Sequence, residues 1–134
     1  MKLIVVRHAE KSPFGLSLKG QGQAKDLAKK LAGKKIDVMY CSPALRAEKT
    51  MDMVLENREE NMQIVFSRLV GPKKKKESLE KLKFRLKIFM EDLEAEYTED
   101  QTIVIITHQM VVGMMMHLRG MDVTKIGNAE FLEL

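Results

Sequence analysis

The sequence is poor in cysteine, in aromatic residues and in long apolar runs, and each shortage excludes a class of protein. The one cysteine among 134 residues cannot form an intrachain disulfide, so nothing indicates an oxidising compartment. No apolar stretch is long enough to cross a bilayer. The first strand is predicted to begin at residue 2 or 3, which leaves no room for a signal peptide. We therefore expect a cytoplasmic protein without a membrane partner.

Nucleic-acid binding is not expected, although the formal net charge is +4. A nucleic-acid-binding domain usually combines its basic patch with aromatic residues or a recognisable motif. Here tryptophan is absent, aromatic residues make up only 5% of the chain and no such motif is present. The composition, with 45% hydrophobic and 31% charged residues, is typical of a folded globular protein. The length suits one domain, so we expect residues 1–134 to form a single domain.

Strand and helix patterns alternate along the chain. Strands are predicted at residues 2–6, 37–40, 64–66, 102–106 and 129–133. The segments between them predict four helices. The third is a long amphipathic helix that begins near Leu79, and the Leu79 side chain should be buried. The fourth covers residues 110–118. That last helix is apolar nearly all round, so we expect it to be deeply buried. Such alternation favours an α/β fold with a mostly parallel sheet between two helical layers.

Histidines follow two of these strands at the point where each strand ends. Arg7 and His8 come directly after the apolar run 3–6, and His108 comes one residue after the run 103–106. Because the carboxyl ends of parallel strands meet at one edge of a sheet, both imidazoles are expected at the same site. A lone histidine beside apolar residues is more often a hydrogen-bonded core residue. The repeated arrangement nevertheless favours an anion pocket that handles phosphoryl groups.

The turn after the second strand adds a further cation. Ser42 is predicted to cap a helix whose first residue is Pro43, and Arg46 lies one turn further on. A helix N-terminus attracts phosphate, and Arg46 can bind its oxygens in a bidentate manner, unless it simply points to solvent. Neighbouring arginines would repel a metal cation, and no close His or Cys spacing supports zinc, so no metal or cofactor is expected. The segment from Cys41 is one residue too short for the phosphate loop of cysteine-dependent phosphatases.

These motifs together resemble the histidine phosphatase superfamily, which has the phosphoglycerate mutase-like fold. The matching segments, in the expected order over essentially the whole chain, are Val6-Arg7-His8-Ala9-Glu10, Leu16-Ser17 with Gly20 and Gln23-Ala24, Ser42-Pro43 with Arg46-Ala47, Thr107-His108, and Asn128-Ala129. The short chain without a cap insertion is most similar to the small phosphohistidine phosphatases. The resemblance implies a three-layer α/β/α sandwich.

The resemblance also implies roles for four side chains. His8 is expected to be the nucleophile that forms a covalent phosphohistidine. Arg7 and Arg46 are expected to hold the phosphoryl oxygens, and His108 to stabilise them as the group is transferred. Phosphoryl transfer mainly requires that the protein position the reacting groups and place positive charge near the equatorial oxygens.

The general acid and the substrate contacts are less well defined. Larger members carry a glutamate after the third strand, but the surrounding pattern is missing from residues 67–77. Glu77 and Glu10 are the candidate general acids, although Glu77 equally suits the first turn of a helix. Ser12 and Gln109 are expected to contact the substrate.

The leading hypothesis is a metal-independent phosphatase that acts on a phosphohistidine protein or a small phosphoester. Its partner is thus a phosphorylated small molecule or a phosphoprotein, and residues 73–76 form a lysine run on the expected pocket rim, unless they are only a solvated loop. Two alternatives stay open: a phosphoglycerate mutase or sugar bisphosphatase, and a non-catalytic phosphate-binding module.

Overall fold

The computed structural model describes all residues from Met1 to Leu134 and contains one central sheet of five strands. In chain order the strands are β1 (Lys2–Arg7), β2 (Lys11–Ser12), β3 (Gly15–Leu16), β4 (Val38–Cys41), β5 (Gln63–Phe66), β6 (Thr102–Thr107) and β7 (Phe131–Glu133). The central sheet has the order β5-β4-β6-β1-β7, and only β7 runs antiparallel to its neighbour. Strands β2 and β3 form a separate small hairpin.

Four helices cover the two faces of this sheet. They are α1 (Leu18–Leu31), α2 (Leu45–Leu55), α3 (Leu79–Glu96) and α4 (Gln109–Leu118). Residues of α1 and α2 pack with one face of the strands in a core of 15 buried residues, and residues of α3 and α4 pack with the other face in a core of 16. The expected three-layer α/β/α arrangement with a mostly parallel sheet is therefore confirmed.

Alternation along the strands explains why both cores form. Successive side chains of a strand point to opposite faces, so an uninterrupted apolar run supplies both layers. In β1, Leu3 and Val5 belong to the α3–α4 core, whereas Ile4 and Val6 belong to the α1–α2 core. None of the four helices combines the length and the apolar composition needed to span a membrane.

Three local expectations were wrong. Leu79 is 55% exposed because it is the first residue of α3 and lies at the edge of the layer. Helix α4 is not buried all round: Val111, Val112, Met115 and Met116 are buried, but Met110 is 49% exposed, because nothing covers the outer side of the helix there. Ser42 does not cap α2, which begins at Leu45 after Ala44 in the cap position. The proline thus lies before the helix and not in its first turn.

Candidate active site

The ends of β1 and β6 bring the two histidines together. These neighbouring strands are parallel and in register, with Arg7 opposite Thr107, and the His8 amide donates a hydrogen bond to the Thr107 carbonyl at 2.9 Å. The next residues, His8 and His108, therefore leave the sheet side by side. Their ring centroids are 5.1 Å apart and the ring planes meet at 62°.

A cleft of about 430 Å³ opens over these rings. Its walls contain four side chains that carry positive charge (Arg7, Lys11, Arg46 and Lys73) and a single carboxylate, that of Glu10. The rest of the lining is His8, Pro72, His108, Gln109, Met110 and Asn128. An excess of positive charge around two imidazoles suits a small dianion such as a phosphoryl group.

The environment of His8 leaves one ring nitrogen free to act as a nucleophile. Its Nδ1 lies 2.7 Å from the carbonyl oxygen of Ala9, which can only accept, so Nδ1 carries the proton and Nε2 is unprotonated in the neutral ring. The Asn128 amide donates to the His8 carbonyl at 3.1 Å and steadies the turn. Burial lowers the pKa of His8, against the opposing effect of the Ala9 hydrogen bond, and the charges of Arg46 and Arg7 lower it further.

The second histidine is held more deeply. His108 is only 5% exposed, and its Nε2 is hydrogen-bonded to the hydroxyl of Ser42 at 2.8 Å. Burial lowers the pKa of His108 to about 3, with further contributions from the charges of Arg46, His8 and Arg85. Both rings are therefore neutral in the free protein near neutral pH. Ser42, which we expected to cap a helix, instead sets the plane of this ring.

The two arginines come from different elements. Arg7, at the end of β1, donates from Nη1 to the carbonyl of Ile126 at 2.9 Å. Arg46 lies in the first turn of α2, and Thr50 ties that turn to the loop that follows β1. The Thr50 hydroxyl donates to the Arg46 carbonyl at 2.8 Å and accepts from the Ala9 amide at 3.0 Å.

Thr50 was missed by sequence reasoning, although a signal was present. It is fully buried between Ala47, Met51 and Val54 on the inner face of α2. A hydroxyl on the buried face of an amphipathic helix needs a partner. In this fold its partners are the backbone carbonyl of Arg46 and the backbone amide of Ala9, the residue after His8.

Of the remaining candidate residues, some line the cleft and others lie outside it. Glu10 and Gln109 both line it. The Glu10 carboxylate accepts the Ser17 hydroxyl at 2.9 Å, and the Gln109 side-chain oxygen accepts the Ile126 amide at 3.3 Å. Ser12 is not among the residues that line the cleft; it lies in the β2–β3 hairpin beside an adjoining depression.

Glu77 is also outside the cleft and lacks the properties of a proton donor. Its carboxylate forms a two-point ion pair with Arg85, at 2.7 Å from Nε and 2.9 Å from Nη2. The hydrogen bonds from Arg85 hold the pKa of Glu77 below its ordinary value, so this group is ionised at neutral pH. The alternative of a first-turn residue does not hold either, since Glu77 precedes Ser78, the N-cap of α3.

Cys41 is a core residue and not a nucleophile. It is fully buried, and its thiol donates to the Ser42 carbonyl at 3.3 Å. Burial raises the pKa of Cys41 to about 12, with smaller effects from the charges of Glu48 and Asp52. Because the thiolate is the reactive form, this thiol is inert at neutral pH.

Several solved structures with similar folds are described as phosphatases. The chain superimposes on a putative alpha-ribazole-5'-P phosphatase from Escherichia coli with a TM-score of 0.83 at 20% identity, covering 99% of this chain and 89% of that one. The protein histidine phosphatase SixA, complexed with tungstate, gives 0.73 at 17% identity over 99% and 86%. A phosphoserine phosphatase variant from Entamoeba histolytica, bound to phosphoserine, gives 0.74 at 18% identity over 98% and 89%. No curated protein matches the sequence significantly.

Family membership follows from the sequence itself. Residues 3–70, about half of the chain, match the pattern of the histidine phosphatase superfamily (branch 1). The matched stretch contains Arg7, His8 and Arg46, and the fold adds His108 from the other half. The chain therefore belongs to branch 1 of the histidine phosphatase superfamily and is a phosphatase of that family.

Proposed function

We propose that this phosphatase works without a metal ion, through a covalent phosphohistidine on Nε2 of His8, and that its preferred substrate is a phosphohistidine in a protein. The observation that carries the covalent step is the 2.7 Å hydrogen bond between Nδ1 of His8 and the Ala9 carbonyl. It leaves Nε2 with a lone pair in a ring that burial keeps neutral. The cytoplasm is the compartment we propose for this reaction.

The reaction takes place in two displacements. Nε2 of His8 attacks phosphorus, an N–P bond forms, and the bond between phosphorus and the leaving group breaks. Water then attacks phosphorus, the N–P bond breaks, and inorganic phosphate leaves with His8 restored. Arg7 and Arg46 hold the phosphoryl oxygens throughout, and the charge of the bound dianion favours a protonated, donating His108.

The choice of substrate depends on the leaving group. An alkoxide needs a proton as it departs, and a well-placed general acid contributes roughly a hundredfold to ten-thousandfold. Glu10 is the one carboxyl in the cleft lining, and it is already hydrogen-bonded to Ser17. The imidazole or amine of an N-phosphate departs more readily, which favours an N-phosphate over an alkyl phosphate as substrate. The similar fold of SixA, a protein histidine phosphatase, supports this preference.

A small phosphoester is the second candidate substrate. Its support is the similar fold of a phosphoserine phosphatase that was solved with phosphoserine bound. Glu10 would then have to release the Ser17 hydroxyl in order to protonate the leaving oxygen. The two candidate substrates therefore differ in whether the Glu10 carboxyl must act as a general acid.

A substrate panel separates these possibilities. Turnover of a phosphohistidine peptide, a small phosphoramidate, an alkyl phosphate and phosphoglycerate should be measured for the wild type, His8→Ala and the exposed control His117→Ala, with and without a chelator. We expect kcat/KM to favour the N-phosphates by about a hundredfold or more over the alkyl phosphate. His8→Ala should abolish turnover, and neither the chelator nor His117→Ala should change it.

Other outcomes select other functions. Interconversion of phosphoglycerates would identify a mutase, and vanadate binding without turnover of any substrate would identify a binding module. Loss of activity with the chelator would contradict the metal-independent mechanism.

The role of Glu77 has its own test. Because Glu77 is ionised and bound to Arg85, Glu77→Gln should keep kcat within about twofold on every substrate while lowering stability by about 1–3 kcal/mol. Turnover kinetics and denaturant unfolding measure the two effects. A selective loss of about a hundredfold on the alkyl phosphate would restore Glu77 as the general acid.

A further inference from the structure

A second cavity, of about 670 Å³, lies next to the catalytic cleft, and Pro72 lines both. Its charged residues are Arg68, Lys74, Lys76, Lys81, Arg85 and Glu77. They come from the short 3₁₀ turn Arg68–Val70, from the loop that follows and from α3 with its preceding turn. We call this space the basic cavity. Nothing in the proposed chemistry of the cleft requires it.

Arg85 and Glu77, the only carboxylate of the basic cavity, have a structural role. The Arg85 guanidinium donates to the Leu69 carbonyl at 2.6 Å and to the Gly71 carbonyl at 3.1 Å, besides its ion pair with Glu77. Both side chains are less than a fifth exposed. These contacts hold the loop in place and cancel one charge of each sign.

The other four cations are unused. Arg68, Lys74, Lys76 and Lys81 are exposed, and none of their side chains makes an ion pair or a hydrogen bond within the chain. With the carboxylate of Glu77 already neutralised, the basic cavity presents four uncompensated positive charges. Such a surface attracts an anionic partner and raises its association rate.

The basic cavity adjoins the catalytic cleft along one braced segment that includes Pro72. The Thr107 hydroxyl, at the end of β6, donates to the Val70 carbonyl at 2.6 Å, and Arg85 holds the carbonyls on either side. Lys73 lines the cleft, whereas Lys74 lines the basic cavity. A chain that carries its phosphoryl group into the cleft would therefore continue directly over these cations.

We infer that the basic cavity binds acidic residues that flank the phosphorylated residue of a protein substrate. One additional phosphate would need only a few donors that converge on a single point. The four exposed cations instead lie on three separate segments, and this arrangement better matches several carboxylates along an extended chain. This inference rests on the proposed function, since it specifies the substrate of the same site.

The test compares two phosphohistidine peptides that differ only in four flanking positions, which are Glu in one and Gln in the other. The enzymes are the wild type, Arg68→Glu/Lys81→Glu, and the control Lys29→Glu/Lys30→Glu, whose exposed lysines lie in the last turn of α1. The wild type should favour the acidic peptide by about tenfold in kcat/KM, mainly through KM and less at high salt. The cavity variant should lose that preference while turning over a small phosphoramidate normally, and the control should keep it.

Several results would overturn the inference. They are equal kcat/KM for the two peptides with the wild type, an equal loss in the control variant, or an equally large effect of Arg68→Glu/Lys81→Glu on the small phosphoramidate. Binding of the labelled peptides to His8→Ala, measured by fluorescence anisotropy, tests the basic cavity separately from turnover. If no substrate is turned over but the acidic peptide still binds preferentially, the proposed function fails and the cavity assignment stands.

Discussion

Replacing His108 with asparagine should make the protein more resistant to acid, even though it removes a residue of the site. The pKa of His108 is about 3 in the folded protein because burial, Arg46, His8 and Arg85 all disfavour the charged ring. In the unfolded chain an imidazole titrates near 6.5. The unfolded state therefore takes up the proton first, and the folded state loses stability as the pH falls below about 6.5.

The size of this effect follows from the difference between the two pKa values. Each pH unit over which only the unfolded chain is protonated costs about 1.4 kcal/mol. Between about pH 7 and about pH 5 the wild type should thus lose about 2 kcal/mol through His108 alone. The lowered pKa of His8 acts in the same direction, but it does so in both proteins and cancels in the comparison.

Urea unfolding over this pH range measures the free energy of unfolding of the wild type, His108→Asn and His117→Asn. Only the change with pH is compared, because losing the Ser42 hydrogen bond shifts the His108→Asn values at every pH. His117→Asn is the matched control, since that side chain is exposed at the far end of α4. The same pH dependence in the wild type and in His108→Asn would show that the lowered pKa of His108 does not cause the loss of stability in acid.

Two further predictions concern contacts that shape the site. A β-carbon at Gly20 would overlap the Glu10 carbonyl oxygen, so Gly20→Ala should lower stability by about 1–3 kcal/mol, whereas Gly22→Ala in the same helix meets open space and should raise it by about 0.5–1 kcal/mol. Thermal unfolding measures both, and equal effects would contradict the overlap. Thr50→Val leaves the Ala9 amide without an acceptor, so it should lower the free energy of unfolding by about 1–3 kcal/mol and lower kcat. Thr50→Ser should restore both quantities. Unchanged kcat in Thr50→Val would show that the contact does not position the site.

The main elements of the fold were predictable because its strands are continuous apolar runs. Periodicity located all five strands of the central sheet and the four helices, and alternation of strands with helices indicated a mostly parallel sheet. The β2–β3 hairpin was not predicted, because two-residue strands are too short to show a period of two. The open outer side of α4 was not predicted either, because apolar composition does not show which neighbours a helix will have.

The location of the site was predictable, but its supporting contacts were not. His8 and His108 each follow an apolar strand, so the topology brings them to one edge. The prediction for Ser42 was wrong because the Ser-Pro pattern suits a helix cap, whereas the hydroxyl is hydrogen-bonded to a ring 66 residues away. The pairing of Glu77 with Arg85 was not predictable for a similar reason, since it depends on how the loop folds against α3. Long-range hydrogen bonds of this kind leave no local pattern.

The most direct test of this account is to identify the phosphorylated residue during turnover. The enzyme should be mixed with a phosphohistidine peptide, quenched in alkali to preserve N-linked phosphate, digested, and sequenced by mass spectrometry. We expect one phosphate on His8, lost on acid treatment and absent from the His8→Ala variant, with none on His108 or Cys41. Turnover without any phosphate on His8, or with phosphate on another side chain, would contradict it.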